Sequence, residues 1–383
     1  MEQKKYKVLH LITRLIVGGA QDNTLITVRA LDRSRYTVHL AANPDGDWCE
    51  RAIECADAFF PLRQLRNPIN PLRDFCTLAQ MVMLMKRQNY DIVHTHSSKA
   101  GLLGCWAAKI ARVPVVVHTI HGFPFHDFMP AWKRHFFIAL ERGNRATRDF
   151  VITLSERDRA EAARLDVSKW DKSKTIYSGI DYSVLEAQGS TKDVKQSLGI
   201  PGDWQVICMV ARLDYLKAPQ LLLEAFARIS VKHPHTILLL AGDGDLRPAL
   251  ERQAQQLRLN DRIRLLGTRN DIPDLLRAAD IFAISSLSEA MGRAMIEATL
   301  LGRAVIAPAT GGIPEIIKEM ETGLLFTPGN IDELADRLDY LLTNRSEQIR
   351  LGENARNANR QIFDASTMVQ QIEAVYSELL ALN

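Results

Sequence analysis

The chain has 383 residues, more than one core usually organises, so two domains are expected. Apolar residues make up 46% and charged residues 24%, a globular balance that argues against a disordered chain. The formal charge of +3 is too small for general nucleic-acid binding, so any basic patch must be local.

Residues 7–12 form an apolar run that stops at Thr13, which reads as a first strand and not a signal peptide. Gly18 and Gly19 follow, then a helical pattern over 20–31. Glycines there let a phosphate approach the backbone at a helix mouth, the alternative being a plain tight turn. The run GGAQDN lacks GxGxxG spacing, and the second strand (36–42) ends in Asn43 instead of an acid, so a dehydrogenase is disfavoured. A third strand is expected over 58–62, a break at 67–71, and a helix over 72–88 whose methionines read as core. Residues 91–96 (DIVHTH) make a fourth strand with His94 and His96 on one face. No third ligand is near in sequence, so hydrogen bonding within the fold is preferred to a metal site. Ser98 and Lys99 open the next helix, as a simple N-cap or facing an acceptor.

Residues 115–120 form a strand with His121-Gly122-Phe123 at its carboxyl end, the edge where ligands collect in open α/β sheets. His121 can donate to a ligand oxygen there, or be a satisfied loop histidine; His118 lies inside the strand. The helix over 130–148 mixes Trp132, Phe136, Phe137 and Leu140 with Lys133, Arg134, Arg142, Arg145 and Arg148. It can lie in a membrane interface or keep one solvated face, the second reading being preferred. A sixth strand covers 150–154, with Ser155 and Asp158 as a capping pair. TIYSGID (175–181) and the polar stretch 188–195 mark a boundary near mid-chain.

The second half repeats the rhythm. A strand over 205–210 leads to Arg212 and Lys217 and a helix over 220–229. Two cations at a strand's carboxyl end can neutralise a diphosphate, though a solvated loop is the plainer reading. After the strand 236–241, Gly242–Asp245 contains a DxD, as does Asp45-Gly46-Asp47, and both read as turns. A strand over 262–266 precedes the loop 267–272. The strand 280–285 is apolar and short, as in a buried parallel sheet, and Glu289 lies in the loop after it. A helical pattern from Gly292 puts Glu297 near the second turn, and the free N–H groups at that helix start favour an anion, with phosphate the natural guess. A strand over 323–326 and helices over 330–342, 346–362 and 366–382 complete the chain. The last carries Met368, Ile372, Val375 and Leu379 on one side. Five cysteines, Cys49, Cys55, Cys76, Cys105 and Cys208, match neither a disulfide scaffold nor a CxxC site, which implies a reducing compartment. No window approaches the roughly 18 apolar residues of a membrane span.

Glu289, seven residues, Glu297 and then Gly311-Gly312-Ile313-Pro314-Glu315 resembles the signature of the retaining glycosyltransferases of family 4, the group 1 glycosyl transferases with the GT-B fold. Two departures stand out: Ala290 and Met291 replace the usual Gly-Phe, and Ser178 replaces the Asn of Asn-Gly-Ile-Asp. The resemblance implies an α/β protein of two Rossmann-like, doubly wound parallel-sheet domains facing an interdomain cleft. Residues 1–185 would bind the acceptor, 186–363 the nucleotide sugar, and 364–383 would form a helix crossing back to the first domain.

The same resemblance implies a hexosyltransferase that moves sugar from a UDP-linked donor to a saccharide or polyprenyl-linked acceptor in exopolysaccharide synthesis. It implies no cofactor beyond that donor, no metal and no nucleic acid. The location would be cytoplasmic, with peripheral contact at the inner face of the membrane left open. Gly18 and Gly19 would lie against the donor's phosphates, Arg212 and Lys217 would bind the phosphates of the leaving nucleotide, and Thr268, Arg269 and Ile272 would lie beside the base. Glu297 would accept from the ribose hydroxyls and Glu289 from the sugar, with Met291, Gly292 and Arg293 around it. His121, Glu289, Arg212 and Lys217 would act in the reaction itself. The alternatives are a GT-B-like UDP-sugar 2-epimerase and a non-catalytic nucleotide-sugar-binding subunit; the intact Glu, Arg, Lys and His set argues against the second.

Overall fold

The structure, a computed structural model, describes residues 5–186 and 191–382. The first four residues and residues 188–190 of the polar boundary stretch lie outside the described residues. Two units emerge, Met1–Ile180 with Asp364–Asn383, and Asp181–Phe363.

The first unit is built on β1 (Tyr6–Arg14), β2 (Tyr36–Asn43), β3 (Ala58–Pro61), β4 (Ile92–His96), β5 (Val115–Ile120), β6 (Phe150–Thr153) and β7 (Ser173–Thr175). The strands pair in parallel in the order β3-β2-β1-β4-β5-β6-β7, which reverses direction between β1 and β4. Both faces of a parallel sheet are covered by crossover helices, so its strands are apolar on both sides. Val8 and Ile12 of β1 join one core layer, while Leu9 and Leu11 join the opposite one. The layer holding Val8 and Ile12 is closed by the helix Ala365–Ala381, which buries Met368, Val369, Ile372, Val375, Tyr376 and Leu379. Burying each such side chain contributes about 1.5–3 kcal/mol, so this helix is structural core and not an appendage.

The second unit is built on β8 (Gln205–Val210), β9 (Thr236–Ala241), β10 (Ile263–Gly267), β11 (Ile281–Ala283), β12 (Ala304–Pro308) and β13 (Leu324–Phe326). Its parallel order, β10-β9-β8-β11-β12-β13, reverses between β8 and β11. All six residues of β9 are buried, as a strand covered on both faces requires.

Two strands go unread in the sequence. β12 lies inside the stretch read for its two carboxylates, although Ala304–Pro308 is a short apolar run ending in proline. β7 is the tripeptide Ser-Lys-Thr, too short and polar to carry a pattern, and only its pairing with β6 defines it. The aromatic helix read over 130–148 is Ala131–Asn144, followed by a 3₁₀ turn, Arg145–Thr147. Among the described residues no helix is long and apolar enough to cross a membrane.

Candidate active site

In an open α/β sheet the crevice forms where strand order reverses, because the loops leaving two adjacent strands run to opposite faces. In the second unit those loops follow β8 and β11. The β8 loop carries Arg212 and Lys217, and the β11 loop carries Glu289. Lys217 Nζ meets Glu289 Oε2 at 2.5 Å, and Ser286 Oγ donates to the same oxygen at 3.1 Å. The two loops are also joined through backbone: Leu287 N donates to Leu216 O at 2.8 Å, and Ser285 Oγ donates to Ala218 O at 2.8 Å. Lys217 is therefore charge-compensated, with side-chain exposures of 21% for the lysine and 11% for the glutamate. Arg212 is solvent-facing, 76% exposed, and reaches Asp214 at 3.1 Å.

Beyond Glu289 the chain turns into the helix Arg293–Leu300 through Gly292 at φ 71°. A Cβ on Gly292 would lie 3.6 Å from Glu289 Cγ, so the carboxylate stem rests against the start of that helix, where free N–H groups favour negative charge. Glu297, one turn on, accepts from Arg293 Nε at 3.0 Å. Met291 is buried at 3% exposure, so it offers a ligand its backbone and not its side chain. Arg269 pairs with Asp271, which holds the Asp271 carboxyl below its usual range; Thr268 is exposed and Ile272 half-buried beside them. Asp243 is likewise accounted for, with Oδ1 accepting from Gly244 N at 2.8 Å and Arg247 lying 3.6 Å away, consistent with a turn.

The first unit gathers imidazoles at its own switch point. In-register pairing sets His10 of β1 beside His94 of β4, and alternation puts His96 on the same face. His10 Nδ1 lies 3.0 Å from His96 Nε2, and His96 Nδ1 lies 3.1 Å from His121 Nε2. His94 Nδ1 lies 2.5 Å from Tyr376 Oη, and its Nε2 lies 2.7 Å from Thr119 Oγ1. Burial disfavours the charged form of all four rings, lowering His10 to about 3, His121 to about 4, and His94 and His96 well below the usual value. His118 is held apart, bonded to Thr95 at 2.8 Å and packed where a Cβ on Gly101 would lie 2.4 Å from its ring.

His10, His94 and His96 bring ligand atoms within 4.8 Å of one another, the third ligand that chain spacing conceals. Each of their six ring nitrogens has a hydrogen-bond partner in the protein. His121 lines a pocket with Ser97, Ser98, Gly122 and Phe123, and its Nδ1 is shut from solvent without a partner. Gly18 and Gly19 open the helix after β1; Gly18 takes an extended backbone that any residue adopts. Lys99 faces Asp74 at 2.7 Å, and the helix N-cap is Ser97, whose hydroxyl bonds Thr13 Oγ1 instead of the helix.

A family profile described as "Glycosyltransferase Family 4" matches residues 17–184, and one described as "Glycosyl transferases group 1" matches residues 190–358. The chain is 30% identical over 380 residues, 98% of both proteins, to the UDP-Gal:alpha-D-GlcNAc-diphosphoundecaprenol alpha-1,3-galactosyltransferase of Escherichia coli. The chain belongs to the family 4, group 1 glycosyltransferases. It is also 26% identical to the N-acetyl-alpha-D-glucosaminyl L-malate synthase of Bacillus anthracis, over 81% of this chain and 80% of that protein. The crystal structure of Anabaena Alr3699/HepE in complex with UDP and glucose superposes with a TM-score of 0.84 at 25% identity, covering 97% of this chain and 100% of that one. The fold is GT-B, and the protein is a glycosyltransferase.

As a family member the chain has its signature loops locked together. Gly311 of the GGIPE segment sits at φ 59°, and a Cβ there would fall 1.5 Å from Glu289 O. Gly312 N donates to Ala290 O at 2.7 Å, so this segment is a brace for the Glu289 loop. Ser286, Asp214, His10 and Tyr376 escape sequence reasoning. Ser286 had a usable signal, standing three residues before Glu289, whereas Tyr376 reads only as part of an apolar helix face.

Proposed function

We propose that this glycosyltransferase transfers a hexose or related sugar from a UDP-linked donor to a polyprenyl-linked saccharide, with retention of anomeric configuration. The observation that carries the reading is the Lys217–Glu289 pair, set at the β8/β11 switch point against the start of the helix Arg293–Leu300. Breaking the bond from sugar C1 to phosphate oxygen leaves positive charge on the ring and adds negative charge on the diphosphate. Lys217, Arg212 and the helix N–H groups supply the counter-charge, so no divalent ion is needed. Glu289 then exchanges Lys217 for sugar hydroxyls, Glu297 takes the ribose hydroxyls, and Thr268, Arg269 and Ile272 flank the base. Gly18 and Gly19 sit by the donor phosphates, and His121 acts on the transferred sugar. Attack comes from the leaving group's own face, the phosphate oxygen taking the acceptor's proton, so two carboxylates are not needed for a covalent route.

The lipid-linked acceptor is supported by the Escherichia coli relative, whose name specifies a diphosphoundecaprenol-linked substrate. It is supported as well by the helix Ala131–Asn144, where Trp132 and Phe136, one turn apart, are 74% and 45% exposed beside Lys133. On this reading the enzyme works at the inner face of the membrane. The test is transfer from a panel of UDP-sugars to a short-chain polyprenyl-diphosphate saccharide, with product anomer read by NMR, in the presence and absence of EDTA. UDP release that requires the acceptor supports the reading. Donor isomerised without acceptor, or an inverted product, overturns it.

A further inference from the structure

The buried histidines of the first unit do not form separate contacts; they form one line. Starting from Thr119 Oγ1, the line runs to His94 Nε2 (2.7 Å), from His94 Nδ1 to Tyr376 Oη (2.5 Å), and from Tyr376 Oη to His10 Nε2 (3.5 Å). It continues from His10 Nδ1 to His96 Nε2 (3.0 Å) and from His96 Nδ1 to His121 Nε2 (3.1 Å), and ends at the unpartnered His121 Nδ1. Thr119, His94, His10 and His96 are each at most 3% exposed, and Tyr376 is fully buried. A neutral imidazole carries one N–H, so each ring that accepts at one nitrogen must donate at the other, and the choice passes from ring to ring.

Two consistent orders exist. In one, His121 Nε2–H donates inward and every ring donates toward Thr119, whose hydroxyl proton is then left in the interior without an acceptor. In the other, Thr119 O–H donates to His94, Tyr376 O–H donates to His10, and His96 Nδ1–H donates to His121 Nε2. Only His121 Nδ1–H is left over, beside the pocket lined by Ser97, Ser98 and Gly122. Each order leaves one proton unmet, but the first strands it in the interior at Thr119, whereas the second sets it beside a pocket where a ligand oxygen can meet it, and a buried donor that nothing can meet is expensive. We propose that Thr119, His94, Tyr376, His10 and His96 are positioning residues that fix His121 as an Nδ1–H donor, ready for an oxygen of the transferred sugar. This rests on the reading of His121 given under the proposed function, and it makes Tyr376, on the last helix of the chain, a member of the reaction machinery at one remove.

The experiment is ¹⁵N NMR of the full-length protein labelled at histidine, which separates protonated from bare ring nitrogens, with His121→Gln assigning the signal. Wild type should show His121 protonated at Nδ1 and bare at Nε2. Tyr376→Phe keeps the packed ring and removes only the hydroxyl; it should leave His121 as a mixture of tautomers and lower turnover roughly tenfold or more, with KM little changed, the scale on which losing a partner that fixes an imidazole acts. Thr119→Val removes the terminal donor and should move the His121 signal the same way, which keeps the test open if Tyr376→Phe folds poorly. A bare Nδ1 in wild type, or a His121 signal unmoved in both variants, overturns the inference. If His121→Gln transfers sugar at the wild-type rate, the role given to His121 fails while the tautomer result stands or falls by itself.

Discussion

Glu289 has two partners in the free protein and, in the proposed reaction, is asked to leave at least one of them. Lys217 at 2.5 Å and Ser286 at 3.1 Å hold one carboxylate oxygen, so the other is the side open to a ligand. Glu289→Gln keeps the shape and an acceptor oxygen but removes the charge that orients Lys217. Turnover should fall by about 10²–10³-fold, the usual effect of losing one preorganised electrostatic group, while the melting temperature moves little. Unchanged transfer by this variant would remove Glu289 from the chemistry. Lys217→Met acts differently, because it leaves a carboxylate that is only 11% exposed without its counter-charge. Stability should drop by about 1–3 kcal/mol, and UDP should bind roughly tenfold or more weakly. Calorimetric titration with UDP together with a thermal melt reads both effects, and UDP affinity at the wild-type level would exclude Lys217 from the phosphate site.

At the scale of elements, the signature segments act by holding one loop against another. Gly311 is the clearest case: its left-handed φ and the 1.5 Å approach of any Cβ to Glu289 O mean that alanine fits neither the backbone nor the space. Gly311→Ala should cost about 1–3 kcal/mol in strain and displace the Glu289 loop, so transfer collapses although no ligand-facing side chain has changed. A crystal structure of the variant with Glu289 still on Lys217 would contradict this. The β8 loop is braced in the same manner, since a Cβ on Gly242 would fall 1.9 Å from Ala211 O. Much of this layout is legible in the sequence, because apolar runs such as TILLLA and helical spacing around Glu297 are local. Contacts between distant segments are not. The spacing of His94 and His96 puts them on one face, but only the pairing of β1 with β4 brings in His10, 84 residues earlier than His94, and only packing of the last helix brings in Tyr376. Likewise, Arg212 and Lys217 read as equivalent cations, whereas the fold exposes one and neutralises the other.

Across the whole molecule, the strongly shifted histidines His10, His94, His96, His118 and His121 all belong to the first unit, so the two units should answer acid differently. The sign follows from where protons bind. Each of these rings has a folded pKa below the unfolded value near 6.5, with His121 at about 4 and His10 at about 3. Above pH 6.5 both states are neutral and the groups contribute no pH dependence. As pH falls below 6.5 the unfolded chain takes up protons that the folded one refuses, so stability is lost, by up to about 1.4 kcal/mol per pH unit for each uncoupled ring. The loss levels off only when the folded rings titrate, near pH 4 for His121 and near pH 3 for His10. Thermal melts between pH 7.5 and 4.5 should therefore show an early transition moving steeply downward below pH 6. Hydrogen exchange at pH 5 should find the faster opening in residues 5–180 and in the helix Ala365–Ala381, which shares their core. An early transition that stays flat from pH 7 to 5, or that maps to residues 191–363, would show that the imidazole line is not buried and neutral as its hydrogen bonds require.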